Sequence, residues 1–503
     1  MSVRCRVAPS PSGFLHIGTA KIALFNWLFA RSQGGVFVLR LEDTDAERTD
    51  EAFVEAMCEG FRWLGIDWDE GPAFGGVPEK GAYGPYRQSL RREMHRREAF
   101  RLLEEGKAYP CFCSKETLEA DRERAMAEKR PYRYSGRCRA IPPEEARRRM
   151  ASGEPCAIRL KTPDEGETIV CDLVQGEVRF DNREFDDFII LRPSGDPIFH
   201  LAVVADDAHM KITHVIRGDD HLTNTPKHIM LFEALGYPVP TFAHLPMVLD
   251  ETGKKYSKRM HGANVLDWRD AGYLPEAIIN YVVMLGWTPE EEGREFFTRD
   301  ELVRLFTIHR LNKSPARFDR ARLDWLNGQH IRRLAPGDLR DRVLPILRAA
   351  GLDPDTRSPE WLTEMAAICQ EKIPTLNHIV DYVDFFFRDV TSYDEKAARK
   401  FFAQPDSAAW LEAARRAVTA AEPWSVDALK ERFQAEAEAV GAKIGSVVNA
   451  ARLALTGKPV GPGLYELTRL LGRETALERL RRALEYVREI ATIPAATPEK
   501  GED

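Results

Sequence analysis

The opening of the chain alternates short apolar runs with longer amphipathic ones. Residues 3–8 form a β-branched run, a turn rich in Ser, Pro and Gly follows, and residues 19–31 then carry apolar side chains at helical spacing. A second strand is predicted at 36–42. Thr49 is placed to cap a helix in which Phe53, Met57, Phe61 and Leu64 recur three or four positions apart, with Gly65 in the stop position. Strand, helix, strand, helix in that order implies a parallel sheet.

From 111 to about 194 the pattern changes to short strands between Pro/Gly/Asp turns, with a charged helical piece at 115–129, which reads as an inserted module. The sheet pattern then resumes, with strands predicted at 197–204, 213–217 and 242–249. Between the last two, 225–235 reads as a helix with Pro226 near its start and Gly236 after it. A nucleotide-binding α/β fold split by an insertion is the economical interpretation. Beyond about 264 helical periodicity dominates, at 275–285, 299–306, 336–350, 359–369 and 427–440, and the Pro/Ala/charge-rich tail is expected to be disordered.

Length and charge sharpen this outline. At 503 residues the chain is too long for one ordinary core, so three or more packed units are expected. With 44% hydrophobic and 30% charged residues it has the composition of a soluble globular protein. The N-terminus has no apolar run ahead of a small-residue cleavage site, and the apolar stretch near 277–285 is too short to span a bilayer. A cytoplasmic protein without membrane attachment is therefore expected. A net charge of −7 argues against a protein that coats nucleic acid indiscriminately. It leaves room for a basic face: Lys and Arg concentrate at 87–101, 254–259 and 310–333, although each run taken alone reads first as solvated surface.

Two segments carry chemistry. The first, PSPSGFLHIGT at 9–19, joins the first strand to the first helix, where free N–H groups and the helix dipole attract phosphate. Gly18 would let a nucleotide lie against the backbone, and His16 is suited to hydrogen-bond a phosphate oxygen as phosphorus is attacked, although it also reads as a histidine in an ordinary βα loop. The second, KYSKR at 255–259, puts two lysines and an arginine on one loop that could neutralise a departing pyrophosphate.

In this order, separated by a resumed parallel sheet, the two segments resemble the HIGH and KMSKS signatures of class I aminoacyl-tRNA synthetases. APSPSGxxHIGTA, RLEDTD at 40–45, GPYRQS at 84–89, VIRGDDHLTNTP at 215–226 and LDWLNG at 323–328 narrow the likeness to the bacterial glutamyl-tRNA synthetases, from residue 3 to about 490. The resemblance implies a Rossmann-type catalytic domain at 1–110 and 196–250, split by an acceptor-end-binding insertion at 111–195. A connecting domain at 251–326, an all-helical anticodon-binding region at 327–490 and a tail at 491–503 complete the expected layout. It also implies ATP with Mg²⁺, glutamate and tRNA(Glu) as ligands and amino-acid activation that needs bound tRNA; a monomer is expected, with the oligomeric state left open by the sequence. His16, Gly18 and Lys258 would take the central ATP-contacting roles, joined by Thr19, Asp220, Lys255, Ser257 and Arg259.

The substrate can be argued from charge as well. Free glutamate carries two carboxylates and one ammonium and so calls for two arginines and an acid. Arg6, Glu42 and Arg217 would each lie at the carboxyl edge of the sheet, where such folds bind ligands. The resemblance puts these three and Ser10 in the glutamate pocket, with Arg6 on the side-chain carboxylate. One position departs from the family: the tyrosine of PTYxxA is Phe199, which can wall the pocket but brings no hydroxyl. Cys111, Cys113 and Cys138 crowd one segment in a way that suggests a metal, and three thiolates suit Zn²⁺. With Tyr134 they resemble the zinc-binding insertion of some family members, where the metal would be structural. The alternatives are a glutaminyl-tRNA synthetase, whose relatives finish in β-barrels instead of helices, or a tRNA-binding relative that has lost the chemistry.

Overall fold

The computed structural model describes residues 2–44, 50–256 and 264–492. Thr49, Ser257, Lys258, Arg259 and the predicted tail from 493 lie outside the described residues. The chain forms two compact units, one of Met1–Asp270 with Pro275–Arg320, the other of Ala271–Leu274 with Ala321–Asp503.

In the first unit, β1 (Arg4–Val7), α1 (Ile17–Ser32), β2 (Val36–Leu39) and α2 (Glu51–Trp63) follow the predicted alternation. Asp50 caps α2 by accepting a hydrogen bond from the Ala52 amide. After α3 (Arg92–Glu104), β3 (Ala108–Cys111), α4 (Lys115–Ala127), α5 (Pro143–Ala151), β4 (Ala157–Leu160), β5 (Glu167–Asp172), β6 (Gly176–Asp181) and β7 (Ile189–Leu191) cover the region read as an insertion. Then come α6 (Phe199–His209), β8 (His214–Gly218), α7 (Thr225–Leu235) and β9 (Thr241–Leu245).

The main sheet has the order β2-β1-β8-β9-β5-β6. Its first five strands run parallel and β6 returns antiparallel as a hairpin partner of β5. The insertion is therefore not free-standing: β5 and β6 extend the edge of the main sheet, while β3, β4 and β7 form their own antiparallel sheet. Helices α3, α6 and α7 cover the main sheet through a core that includes Val38, Leu201, Val204, Val215, Phe232 and Phe242. Burying each such side chain is worth about 1.5–3 kcal/mol.

Two strand predictions are corrected. Residues 197–204 hold no strand; from Phe199 the chain is α6, buried without interruption from Leu201 to Asp207. A run buried on all sides has no period to separate helix from strand. The strand expected over 242–249 stops at Leu245, before Pro246, and Val248–Leu249 pairs separately with Ala316–Arg317.

Among its described residues the second unit holds helices and connecting segments but no strand, from the end of Arg320–Arg332 to Arg473–Thr492.

Candidate active site

The turn between β1 and α1 is organised by one imidazole. His16 is the N-cap of α1, and its Nδ1 accepts hydrogen bonds from the Gly18 amide (3.1 Å) and the Thr19 amide (3.3 Å). A ring nitrogen that accepts twice carries no proton, so the proton sits on Nε2, 3.0 Å from the Thr19 hydroxyl. A Cβ at position 18 would lie 3.0 Å from His16 Cε1 and Nδ1, which ties Gly18 to the same arrangement. His16, read from the sequence as a phosphate contact or as an ordinary loop histidine, is also the cap that builds the helix terminus.

At the carboxyl ends of the strands, buried charges form a network that escaped sequence reading. Asp206 and Asp207, adjacent on α6, are almost fully buried. Arg6 donates to both oxygens of Asp207 at 3.1 and 3.3 Å, and Arg40 donates to Asp207 at 2.6 Å and to Glu42 at 3.3 Å. Asp206 accepts from Arg91 (2.6 Å) and Gln88 (2.8 Å) and lies 2.7 Å from His95 Nε2. Burial pushes the Asp206 carboxyl up, but the hydrogen bond from His95 and the charges of Arg40, His95 and Arg91 more than offset it and hold its pKa at about 2. The only outward signal was a pair of aspartates inside the apolar run AVVADDAH.

Arg217, on β8, is held differently. Its Nε donates to His244 Nε2 (3.1 Å), Nη1 contacts His228 Nδ1 (3.1 Å), and Nη2 donates to Thr225 Oγ1 (2.7 Å) and the His221 carbonyl (3.3 Å). His244 Nδ1 is 2.6 Å from Asp172, and His228 Nε2 is 3.1 Å from His200 Nδ1. Burial and the charge of Arg6 bring the Arg217 pKa down to about 9, so it stays protonated at neutral pH.

Arg6, Ser10, Thr19, Glu42, Phe199 and Arg217 line one cavity of about 250 Å³. All five residues expected to bind glutamate are among them. Burial raises the Glu42 carboxyl, against the pull of Arg40 and Arg6. Phe199 brings its ring near three imidazoles, His200, His221 and His228, with the His221 ring stacked 6.0 Å away. Asp220 stands just beyond β8 and accepts from Lys255 at 3.2 Å, both side chains being largely exposed.

The model of class I tRNA synthetases (E and Q), catalytic domain, matches residues 2–325, and that of an anticodon binding domain matches 338–484. A glutamate–tRNA ligase from Moorella thermoacetica is 45% identical over 97% of this chain and 99% of its own length. One from Geobacter sulfurreducens is 44% identical over 96% and 99%. The chain belongs to the glutamate–tRNA ligase family. Among solved structures, a glutamate tRNA ligase from Elizabethkingia meningosepticum, crystallised in complex with its amino acid, superposes with a TM-score of 0.87 at 32% identity, covering 97% of this chain and all of that one.

This family member also carries the cysteine cluster. Cys111, Cys113 and Cys138 bring their sulfurs within 4.8 Å of one another, with Cys113 and Cys138 3.5 Å apart. The Tyr134 hydroxyl lies 3.3 Å from Cys111 Sγ and 3.6 Å from Cys113 Sγ, and it accepts from the Cys138 amide. Sulfurs around one tetrahedral zinc sit roughly 3.8 Å apart, so the three thiolates fit that ion and would hold it, with the Tyr134 hydroxyl as the neighbouring candidate donor. A larger cavity of about 700 Å³ opens next to it, lined by Arg124, Arg130, Arg133, Arg137 and Arg139. It is remote in kind from the strand-end cavity: Arg137 and Arg139 are paired with Asp121 and Asp164.

Proposed function

We propose that this chain activates L-glutamate with MgATP as glutamyl-adenylate and transfers it to the 3′-terminal adenosine of tRNA(Glu) in the cytoplasm. The observation that carries this reading is the strand-end cavity, where a buried guanidinium with no carboxylate partner among the described residues, Arg217, stands with Arg6 and Glu42 beside the N-terminus of α1. Glu42 suits the substrate's ammonium and the guanidiniums suit its carboxylates. Arg217 takes the dominant carboxylate contact, in place of the Arg6 assignment made from sequence, because two Arg6 nitrogens already serve Asp207. Ser10 and Phe199 complete the walls.

ATP lies with its phosphates at the His16-capped turn. The His16 ring and the segment of Lys255, Ser257, Lys258 and Arg259 receive the charge that builds as pyrophosphate leaves, while the Gly18 and Thr19 amides, donated to His16, fix the turn against which ATP lies, and Asp220 pairs with Lys255. Magnesium bound with ATP would offset charge on its phosphates. The glutamate α-carboxylate attacks the α-phosphorus, pyrophosphate departs, and a ribose hydroxyl of the terminal adenosine then attacks the adenylate carbonyl, releasing AMP. The protein needs no covalent intermediate; it orients and screens charge.

ATP–pyrophosphate exchange in the presence of purified tRNA(Glu) tests the reading. Exchange that requires glutamate is expected, and labelled glutamate should appear on the tRNA. Exchange driven equally by glutamine would favour the glutaminyl alternative, and none at all would favour a binding protein. Zinc at Cys111, Cys113, Tyr134 and Cys138 would cross-link the insertion without entering the reaction. Elemental analysis of chelator-washed protein should return close to one zinc per chain; an ordered, fully active protein without metal would remove it.

A further inference from the structure

A guanidinium has five N–H donors, and four of those on Arg217 are committed: Nε to His244, both hydrogens of Nη2 to Thr225 and the His221 carbonyl, and one hydrogen of Nη1 to His228. The remaining donor is therefore on Nη1, the nitrogen that His228 holds. Every direct acceptor is neutral. Nδ1 of His228 can accept from Arg217 only if the ring proton is on Nε2, and that proton then points at His200 Nδ1, 3.1 Å away. The tautomer of each ring is thus dictated by the one before it, from Arg217 through His228 to His200. His228 is fully enclosed, and the half-buried His200 packs between Phe188 and Phe199.

We propose that His228 and His200 are a positioning pair that keeps the last N–H of Arg217 oriented, and its charge unspent, for a substrate carboxylate, and so set the preference of the cavity for an acid over an amide. The proposal rests on the assignment of that cavity to glutamate. A carboxylate in place of His228 would hold Nη1 just as firmly but would neutralise it. A neutral imidazole holds it without doing so, and leaves the ion pair to be completed by the ligand. An amide side chain entering the cavity could take the hydrogen bond but not the charge interaction, which is the larger share in a buried site.

The test is a variant series assayed by tRNA-supplemented ATP–pyrophosphate exchange, with glutamate and glutamine as alternative substrates. His228→Leu removes the acceptor and should raise the KM for glutamate about tenfold to a hundredfold, the range for one hydrogen bond to a charged group, while the KM for ATP stays near wild type. His228→Gln can accept with its carbonyl and donate with its amide, and should recover glutamate KM to within about threefold. His228→Asp should lower glutamate activation and narrow the ratio of glutamate to glutamine activation. His200→Leu, which touches Arg217 only through His228, should give a smaller rise in glutamate KM and reads the same chain if His228→Leu fails to fold. A wild-type glutamate KM in both leucine variants would overturn the proposal, as would His228→Gln no better than His228→Leu, or equal rises in the KM for glutamate and ATP. Wild-type protein without glutamate-dependent exchange would instead overturn the assignment of the cavity.

Discussion

Two groups of buried charge stand at the carboxyl ends of the same parallel strands, and they are built on opposite plans. Around Asp206 and Asp207, guanidiniums meet carboxylates directly. Around Arg217 the guanidinium meets imidazoles, a hydroxyl and a carbonyl. The electrostatics of the two central arginines differ accordingly. Burial alone would lower both, yet Arg40 is raised because Asp207, Asp206 and Glu42 outweigh it, whereas Arg217 is lowered by burial and by Arg6. A guanidinium closed by carboxylates is finished as structure. One left with neutral partners keeps its charge open to an anion, as proposed for Arg217.

The comparison breaks first at Asp207. Asp207→Ala leaves Arg6 and Arg40 buried without their shared acid, and removing one side of a buried pair costs about 3–5 kcal/mol. Urea denaturation of the first unit should show that loss. A midpoint close to wild type would mean that the network is not closed structure at all.

Arg217→Leu should do the reverse. It removes a buried charge that no carboxylate among the described residues touches, so the urea midpoint should move less than for Asp207→Ala, while glutamate binding loses about 2–5 kcal/mol, the usual cost of truncating one side of a buried charged contact. Calorimetric titration with glutamate checks this. Unchanged affinity would show that Arg6 is the recognising arginine after all.

Acid should separate the networks more gently. His200 is pushed down to about 4 by burial and by the charges of Lys227, Arg217 and His221, and His228 beside it is lowered as well. A histidine whose folded pKa is depressed takes up its proton first in the unfolded chain, so its share of stability declines as pH falls from 6.5 toward 4. Asp206 is depressed from 3.8 to about 2, so its contribution is complete above 3.8 and declines only between those values. Overall stability should therefore decline from about pH 6.5 toward 4, the window of the histidines, while glutamate affinity holds until the folded rings protonate near 4 and α6 loses the share due to Asp206 only below about 4. Simultaneous loss would argue that the two networks titrate as one.

The smallest effect belongs to the exposed pair of Lys255 and Asp220. Lys255→Ala should change stability by about 0–1 kcal/mol, because solvent screens such a contact. Its consequence should appear in the KM for ATP, and a clear drop in the unfolding midpoint would make the pair structural.

Much of this could be read without coordinates. Local punctuation marked the turn at His16 and Gly18 and the ends of α7 at Pro226 and Gly236, because caps and breakers act within a few residues. The three cysteines are close in sequence as well as in space. Clustered Arg6, Glu42 and Arg217 followed from strand ends alone, since parallel strands bring their carboxyl termini to one edge.

The pairing of those charges was decided only by tertiary structure. Arg6 finds Asp207 across 201 positions and Arg40 finds it across 167, and no local pattern ties them together. The same residues 197–204 read as strand until packing made α6 of them, and that helix supplies both aspartates. Hydrophobic periodicity reports which side of an element is buried, so it is silent where every side is buried. Charge along the sequence counts arginines and acids alike, but which arginine keeps its charge depends on what lies within a hydrogen bond of it, and that is settled only when distant strands meet.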